Sequence, residues 1–221
     1  TNGSAQYGID VFLPGMVFAA IRHCPTLGGT LSATPATPTG AIALVPCYTS
    51  DTRGVVTKNT YNAVAVVADN TWKANKLAKA LSIKWTLPTS TTNVDSAAIQ
   101  TTALSLLANG TPLVAEPSNP TPAAADIEAA VNTAMLGAVA TVQANFSVPF
   151  LAHATMEPMV CTAWLQGDQL QVWSSTQNPE GTLAVSAATA GVPQANVKVH
   201  PVQLGGGLGR KSPQDFTRQA V

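Results

Sequence analysis

Gly205, Gly206, Gly207 and Gly209 surround Leu208, between the apolar run 197–204 and the cations Arg210 and Lys211. Lacking Cβ atoms, such a stretch can bring several main-chain N–H groups against one anion or one flat polar ring system. The chemistry this predicts is cofactor binding through backbone amides, although a glycine cluster after a strand also serves as a bulge or turn without a ligand. Two phosphate-binding patterns fit poorly. GxGxxG fails on spacing, and GxxxxGKS/T started from Gly205 finds Lys211 and Ser212 in place but Arg210 where its second glycine must stand. A nucleotide-binding protein with a P-loop-like segment is thus the weaker alternative.

Two upstream stretches carry polar groups suited to line such a site. Gln177, in Ser174-Ser175-Thr176-Gln177-Asn178-Pro179, offers a carboxamide that donates and accepts without bringing a charge. The same residues also read as a turn before a helix with Pro179 in its first position. Glu157, between Met156 and Pro158 beside an apolar run, predicts a buried carboxylate hydrogen-bonded to main chain that shapes a pocket, in preference to an acid or base. His153 and His200 have no partner carboxylate at ligand spacing, and no metal is assigned to either.

These groups need a scaffold. Residues 197–204 predict a strand that delivers the glycine loop, preceded by an Ala-rich helix over 181–190 ending at Gly191. Before that, 161–165 and 169–174 predict a hairpin across Gln166-Gly167-Asp168. Strand, helix, strand and loop in that order is how α/β architecture sets a cofactor at a strand end. Residues 139–150 alternate towards a further strand. Nearer the N-terminus, 7–16 and 17–22 predict a hairpin turning at Pro14-Gly15, 41–45 and 63–68 predict strands, and 82–85 predicts another. Residues 71–81 predict a helix capped by Asp69 or Asn70, with Trp72 and Trp85 in the core. Ala-rich helices are expected over 96–108 and 123–135. Thr/Ser/Pro-rich patches at 88–95 and 116–122 read as surface linkers that mark the boundary between an N-terminal and a C-terminal unit.

Length and charge bound the function. The 221 residues suffice for one large domain or two small ones. Charged residues make up only 10% and balance to zero net charge, against about 25% charged in ordinary soluble domains. Such a surface suits coverage by other protein or an acidic extracytoplasmic space. No basic stripe appears, so no nucleic-acid partner is expected. Cys24, Cys47 and Cys161 are odd in number, widely spaced and without a CxxC pair, which predicts buried free thiols. No apolar run has the length of a membrane span, and the N-terminus lacks signal-peptide character. The expectation is a cytoplasmic protein, or one whose precursor start is absent from this chain.

His153-Ala154-Thr155-Met156-Glu157-Pro158, the Gln177 motif and residues 205–210 stand in a fixed order, and together they resemble the large, molybdenum-binding subunit of the xanthine dehydrogenase and aldehyde oxidase family. Residues 148–159 are most similar to the isoquinoline 1-oxidoreductase and bacterial membrane-associated aldehyde dehydrogenase branch, where the glycine loop usually reads GGGFGRR. Gly8-Ile9-Asp10 with Leu13-Pro14-Gly15-Met16, Cys24-Pro25 with Gly28-Gly29, and Val64-Ala65-Val66-Val67-Ala68 with Thr71-Trp72 are similar to the α/β hammerhead domain that precedes the molybdenum domain there. The likeness is good over 1–87 and 139–221 and poor between. It implies an α+β chain: a hammerhead domain at 1–87, a Thr/Pro/Ala-rich connecting segment at 88–138, and the first part of a molybdopterin-binding domain at 139–221.

By the same resemblance, Gln177 directs its carboxamide at an oxygen ligand of molybdenum. The backbone of Gly206, Gly207, Leu208 and Gly209 contacts the pterin and its phosphate, and Arg210 pairs with a phosphate oxygen. Dithiolene sulfurs of the pterin hold the molybdenum, so no protein ligand to the metal is expected. Leu208 stands where the family generally has Phe, which predicts a different pocket shape. The family's general base is a glutamate far downstream of the glycine loop, and no position of these 221 residues matches it. Family subunits are several times longer, so the resemblance implies a piece of the subunit, inactive alone.

The implied reaction is hydroxylation of an aldehyde or N-heterocycle at carbon, with oxygen drawn from water and electrons leaving through 2Fe-2S clusters in a partner subunit. Implied partners are the remainder of the molybdenum subunit, that iron–sulfur subunit and a cytochrome c subunit. The implied cofactor is molybdopterin as the cytosine dinucleotide. The implied location is the periplasm, with the cytoplasm as the alternative. A structural or assembly module that keeps the fold without the chemistry is the rival from another class.

Overall fold

In the computed structural model of the protein, residues 2–47, 61–89, 95–110, 124–142 and 144–221 are described. The expected linker patches fall largely on residues 90–94 and 111–123, outside the described residues. The chain forms two units, Thr1–Thr89 with Ala152–Val221, and Ser90–Leu151.

Small apolar residues build the first layer of the larger unit. β1 (Phe18–His23), β3 (Ala43–Cys47) and β4 (Ala63–Ala68) form an antiparallel sheet in the order β1-β4-β3. β4 is the central strand and almost wholly buried, as its uninterrupted Ala/Val sequence requires. α1 (Thr71–Ala80) lays Ala74 and Ala78 on Ala20, Val66 and Ala68; methyl-sized contacts let helix and sheet approach closely. The Asn70 side chain caps α1 by accepting from Lys73 N at 2.8 Å, and Arg22 Nη1 donates to the Ala78 carbonyl at the other end at 2.8 Å. β2 (Thr30–Leu31) pairs with β5 (Trp85–Thr86) as a two-residue ladder.

The second sheet carries the loop. β6 (Cys161–Gln166) and β7 (Gln169–Ser174) form the expected hairpin around Gly167-Asp168, with Gly167 at φ +63°. α4 (Pro179–Ala190) then crosses over, and β8 (Val197–Pro201) returns parallel to β7. Leu170, Val172 and Val197 pack with Ala187 of α4 in one apolar cluster. α4 has Pro179 in its first turn, Asn178 Oδ1 accepting from Gly181 N at 2.9 Å, and Gly191 at φ +71° closing its end. α5 (Asp215–Ala220) follows the glycine loop. The smaller unit holds α2 (Ser96–Asn109) and α3 (Ala124–Leu136); α2 buries none of its residues and leaves Leu104, Leu106 and Leu107 exposed.

Several expectations need correction. The first arm of the N-terminal hairpin is a 3-10 turn over Gly8–Asp10, because the Asp10 carboxylate accepts from Tyr7 N at 2.9 Å and folds the chain back on itself. Residues 144–150 form no strand; they are exposed and pair with no neighbouring strand among the described residues. Trp72 is 70% exposed, its ring covered by Lys76 Nζ at 4.7 Å instead of by core, and Trp85 is half-buried. All three cysteines are free, with Cys47 buried and Cys24 and Cys161 half-buried. Burial pushes the Cys161 thiol up to about 12, which keeps it protonated and inert.

Gly191→Ala would place a Cβ in the left-handed region, and it is expected to cost about 1 kcal/mol, read as a lower urea midpoint at unchanged slope.

Candidate functional site

Because β7 and β8 are parallel, both carboxyl ends open on the same side, and each leads into one of the polar motifs. β7 ends at Ser174 and runs into Ser175-Thr176-Gln177. β8 ends at Pro201, shorter than expected, and the glycine loop begins after three intervening residues. Val202 N donates to Ser174 O at 3.2 Å and Gln177 N to Lys211 O at 3.0 Å, so the two motifs are stitched side by side. A third strip joins them where Glu157 N donates to Gly205 O at 3.1 Å.

Gln177 and the glycine loop are in direct contact. The Gln177 Oε1 atom accepts from Gly209 N at 3.1 Å and from Lys211 N at 3.3 Å. A Cβ on Gly207 would stand 2.5 Å from that oxygen, so glycine is obligatory there while the carboxamide keeps its place. Gly206 and Gly209 take φ +96° and +92°, and Leu208, exposed, takes φ +50°. Arg210 N to Gly207 O at 2.8 Å and Ser212 N to Gly209 O at 3.2 Å close two successive turns. His153 borders the loop, its Nε2 3.6 Å from where a Gly209 Cβ would lie.

What the loop leaves open is a row of donors. The main-chain N–H groups of Gly206, Gly207 and Leu208 have no partner among the described residues, although Gly207 is buried, and neither has the Gln177 Nε2 amide. Three adjacent backbone donors and one uncharged side-chain donor, beside glycines that admit close approach, match a large polar ring system bearing phosphate. A depression of about 270 Å³ lined by Gln169, Gln171, Asn196 and Lys198 lies at the opposite, amino-terminal ends of β7 and β8, away from these groups.

Glu157 holds the loop from beneath. Its Oε1 accepts from Gly8 N at 3.0 Å, its Oε2 accepts from Gly205 N at 2.8 Å, and Lys211 Nζ pairs with Oε2. Both side chains of the pair are withdrawn from solvent. Burial works to raise the Glu157 pKa, but the hydrogen bonds from Lys211, Gly205 and Gly8 outweigh it, and the carboxyl lies below the usual carboxylate range. The buried, main-chain-bonded carboxylate expected at 157 is therefore present. Its partners Gly8 and Lys211 were not foreseen; the only signal was a lone lysine at the exit of a glycine loop in a chain poor in charge.

Two expectations change here. Lys211 is fully buried against Glu157 and cannot reach a nucleotide phosphate, which removes the P-loop-like alternative. Arg210 is not free either. Its Nη1 and Nη2 form a two-pronged pair with Asp215 at 2.9 and 2.7 Å, which leaves only its outward N–H groups for a phosphate oxygen. His200 lies elsewhere on the sheet, stacked on Trp173 at 4.6 Å between ring centres with Nε2 3.0 Å from Gln171 Oε1.

Known proteins resemble this chain in sequence and in fold. Residues 115–221 match the molybdopterin cofactor-binding domain. The aldehyde oxidoreductase molybdenum-binding subunit PaoC of Escherichia coli K12 is 32% identical over 78 residues, 35% of this chain and 11% of that protein. Quinoline 2-oxidoreductase from Pseudomonas putida 86 matches with a TM-score of 0.59 at 17% identity, over 97% of this chain and 30% of that chain. The reconstituted CO dehydrogenase from Oligotropha carboxidovorans matches with a TM-score of 0.62 at 17% identity, over 98% of this chain and 31% of that one. The matched segment defines a molybdopterin cofactor-binding domain in the second half of the chain. The chain carries a molybdopterin cofactor-binding domain, resembles these molybdenum-enzyme chains in sequence or fold, and spans under a third of the length of these relatives.

A carboxyl whose folded-state pKa is lowered adds stability above its unfolded pKa, about 4.3 for Glu, and loses that contribution as pH falls through the folded value. The difference in melting temperature between the wild type and Glu157→Gln is expected to be full at pH 7 and to shrink as pH drops below about 4. Thermal melts between neutral pH and pH 3 check this.

Proposed function

We propose that this chain forms one wall of the molybdopterin site of an enzyme that oxidises an aldehyde or an N-heterocycle by hydroxylation, with water as the oxygen source. The observation that carries the reading is the row of uncommitted donors at Gly206, Gly207, Leu208 and Gln177, held together by the Gln177 contact with the loop. When bound, molybdopterin would supply the redox centre. The chain's own residues would bind and orient it: the three main-chain amides against the pterin and its phosphate, the Gln177 carboxamide towards the molybdenum side, and Gly209 and the outer face of Arg210 at the phosphate end. A carboxamide suits that place because it donates without adding charge or a titrating proton.

The finer features rest on the sequence resemblance to the isoquinoline 1-oxidoreductase and aldehyde dehydrogenase branch. They are a hammerhead domain at 1–87, a connecting segment at 88–138, a molybdopterin-binding part at 139–221, and the cytosine dinucleotide form of the cofactor. The general base, the 2Fe-2S clusters and a cytochrome c would lie on other polypeptides or on the remainder of the molybdenum subunit, and the complex would work in the periplasm. The low charge of this chain is compatible with a surface covered by such partners.

Metal and pterin analysis of the complex purified from its host is expected to give about one molybdenum and one molybdopterin per copy of this chain. None of either would leave a structural module of the same fold. Gln177→Ala is expected to lower the oxidation rate about 10- to 100-fold, with a lower melting temperature from the two loop hydrogen bonds it loses, and Gly207→Val to abolish cofactor retention. Lys211 substitutions should create no Mg-dependent nucleotide binding or loss of it.

A further inference from the structure

Three donors from two distant pieces of chain converge on one carboxylate. Gly8 belongs to the N-terminal 3-10 turn, Gly205 opens the glycine loop, and Lys211 closes it, and all three donate to Glu157. The convergence leaves no spare room. A Cβ on Gly205 would stand 2.5 Å from Glu157 Cβ, and a Cβ on Gly8 would stand 2.7 Å from Val160 Cγ1 and 3.3 Å from Glu157 Oε1. The N-terminal segment is further bound to the approach to the loop where Gln203 N donates to Gln6 O at 3.1 Å and Tyr7 bridges Gln203.

We infer that Glu157 is a positioning residue for the cofactor, with Lys211 and Gly8 as its partners: one buried carboxylate fixes both ends of the glycine loop and makes the N-terminal segment part of the cradle. The loop between the two fixed ends contains the uncommitted amides of Gly206, Gly207 and Leu208, so their direction depends on where Gly205 and Lys211 are held. Glutamate is specific for this task. It accepts from two main-chain N–H groups and an ammonium at once, whereas glutamine can accept on one oxygen only and turns an NH2 towards the remaining donor. The role in cofactor retention rests on the molybdopterin reading above; the role in holding the loop does not.

Two measurements separate them. The first is hydrogen exchange on the cofactor-free protein, comparing wild type, Glu157→Gln, Lys211→Met, Lys211→Arg and the Glu157→Gln/Lys211→Met double variant. Glu157→Gln and Lys211→Met are expected to exchange about tenfold faster in peptides covering 5–9 and 204–212 while α4 peptides stay at the wild-type rate, with Lys211→Arg close to wild type. The second is molybdopterin retained per chain after gel filtration of the complex, expected to fall about tenfold or more in both single variants. The double variant no longer buries an unpaired charge, so its melting temperature should recover while its loop exchange and cofactor loss do not. Recovery of loop exchange together with the melting temperature, or wild-type exchange in the single variants, overturns the inference. Altered loop exchange with no molybdopterin in the wild type overturns the functional reading and leaves the clamp standing.

Discussion

A carboxylate taken out of water is tolerated only where its oxygens are fully partnered, and Glu157 meets that demand with two main-chain amides and an ammonium. The requirement acts in both directions. Glu157 can be buried because Gly8, Gly205 and Lys211 come to it, and those three residues occupy their places because an unpartnered carboxylate would be costly. Glycine at 8 and 205 follows from the lack of space beside the Glu157 side chain. The parallel pairing of β7 and β8 brings the strips together, and the carboxylate locks them.

Above the clamp, the loop divides its polar groups into those spent on structure and those left for a ligand. Gly205, Gly209, Arg210, Lys211 and Ser212 use their main-chain N–H groups within the protein, and Gly206, Gly207 and Leu208 do not. The same division runs through Gln177, whose oxygen secures the loop while its amide nitrogen is uncommitted. Gly206, Leu208 and Gln177 are exposed, so these donors are open to another molecule, and Gly207 between them is buried. The two cations that make the loop resemble a phosphate-binding segment are spent on Glu157 and Asp215. The groups left uncommitted there are chiefly backbone amides, and glycine, not a basic cluster, dominates the sequence.

Much of this was legible in the sequence because the signals were local. The Ala/Val run of β4, the Asn caps of α1 and α4, Pro179 and Gly191 around α4, and Gly167-Asp168 in the hairpin each determine their own surroundings. The order of three motifs carried the resemblance to a family, and Gln177 does lie against Gly207. Failures came where a distant contact decided the outcome. The segment 7–16 has strand-like composition, yet Gly8 and Tyr7 are occupied by Glu157 and Asp10. Residues 144–150 alternate like a strand but have no strand beside them among the described residues. Trp72 has the character of a core residue, but the face of α1 that meets the sheet is the alanine face. Lys211 looked like a phosphate ligand because its true partner lies 54 positions away.

In the proposed function, the backbone at 206–208 and the carboxamide of Gln177 face one bound molybdopterin. Anomalous diffraction at the molybdenum absorption edge from crystals of the loaded complex tests it most directly. One strong peak is expected on the side of Gln177 Nε2, with pterin density within hydrogen-bond reach of the Gly206, Gly207 and Leu208 amides. A molybdenum peak remote from Gln177, or those amides turned into protein with the cofactor bound elsewhere, would contradict it.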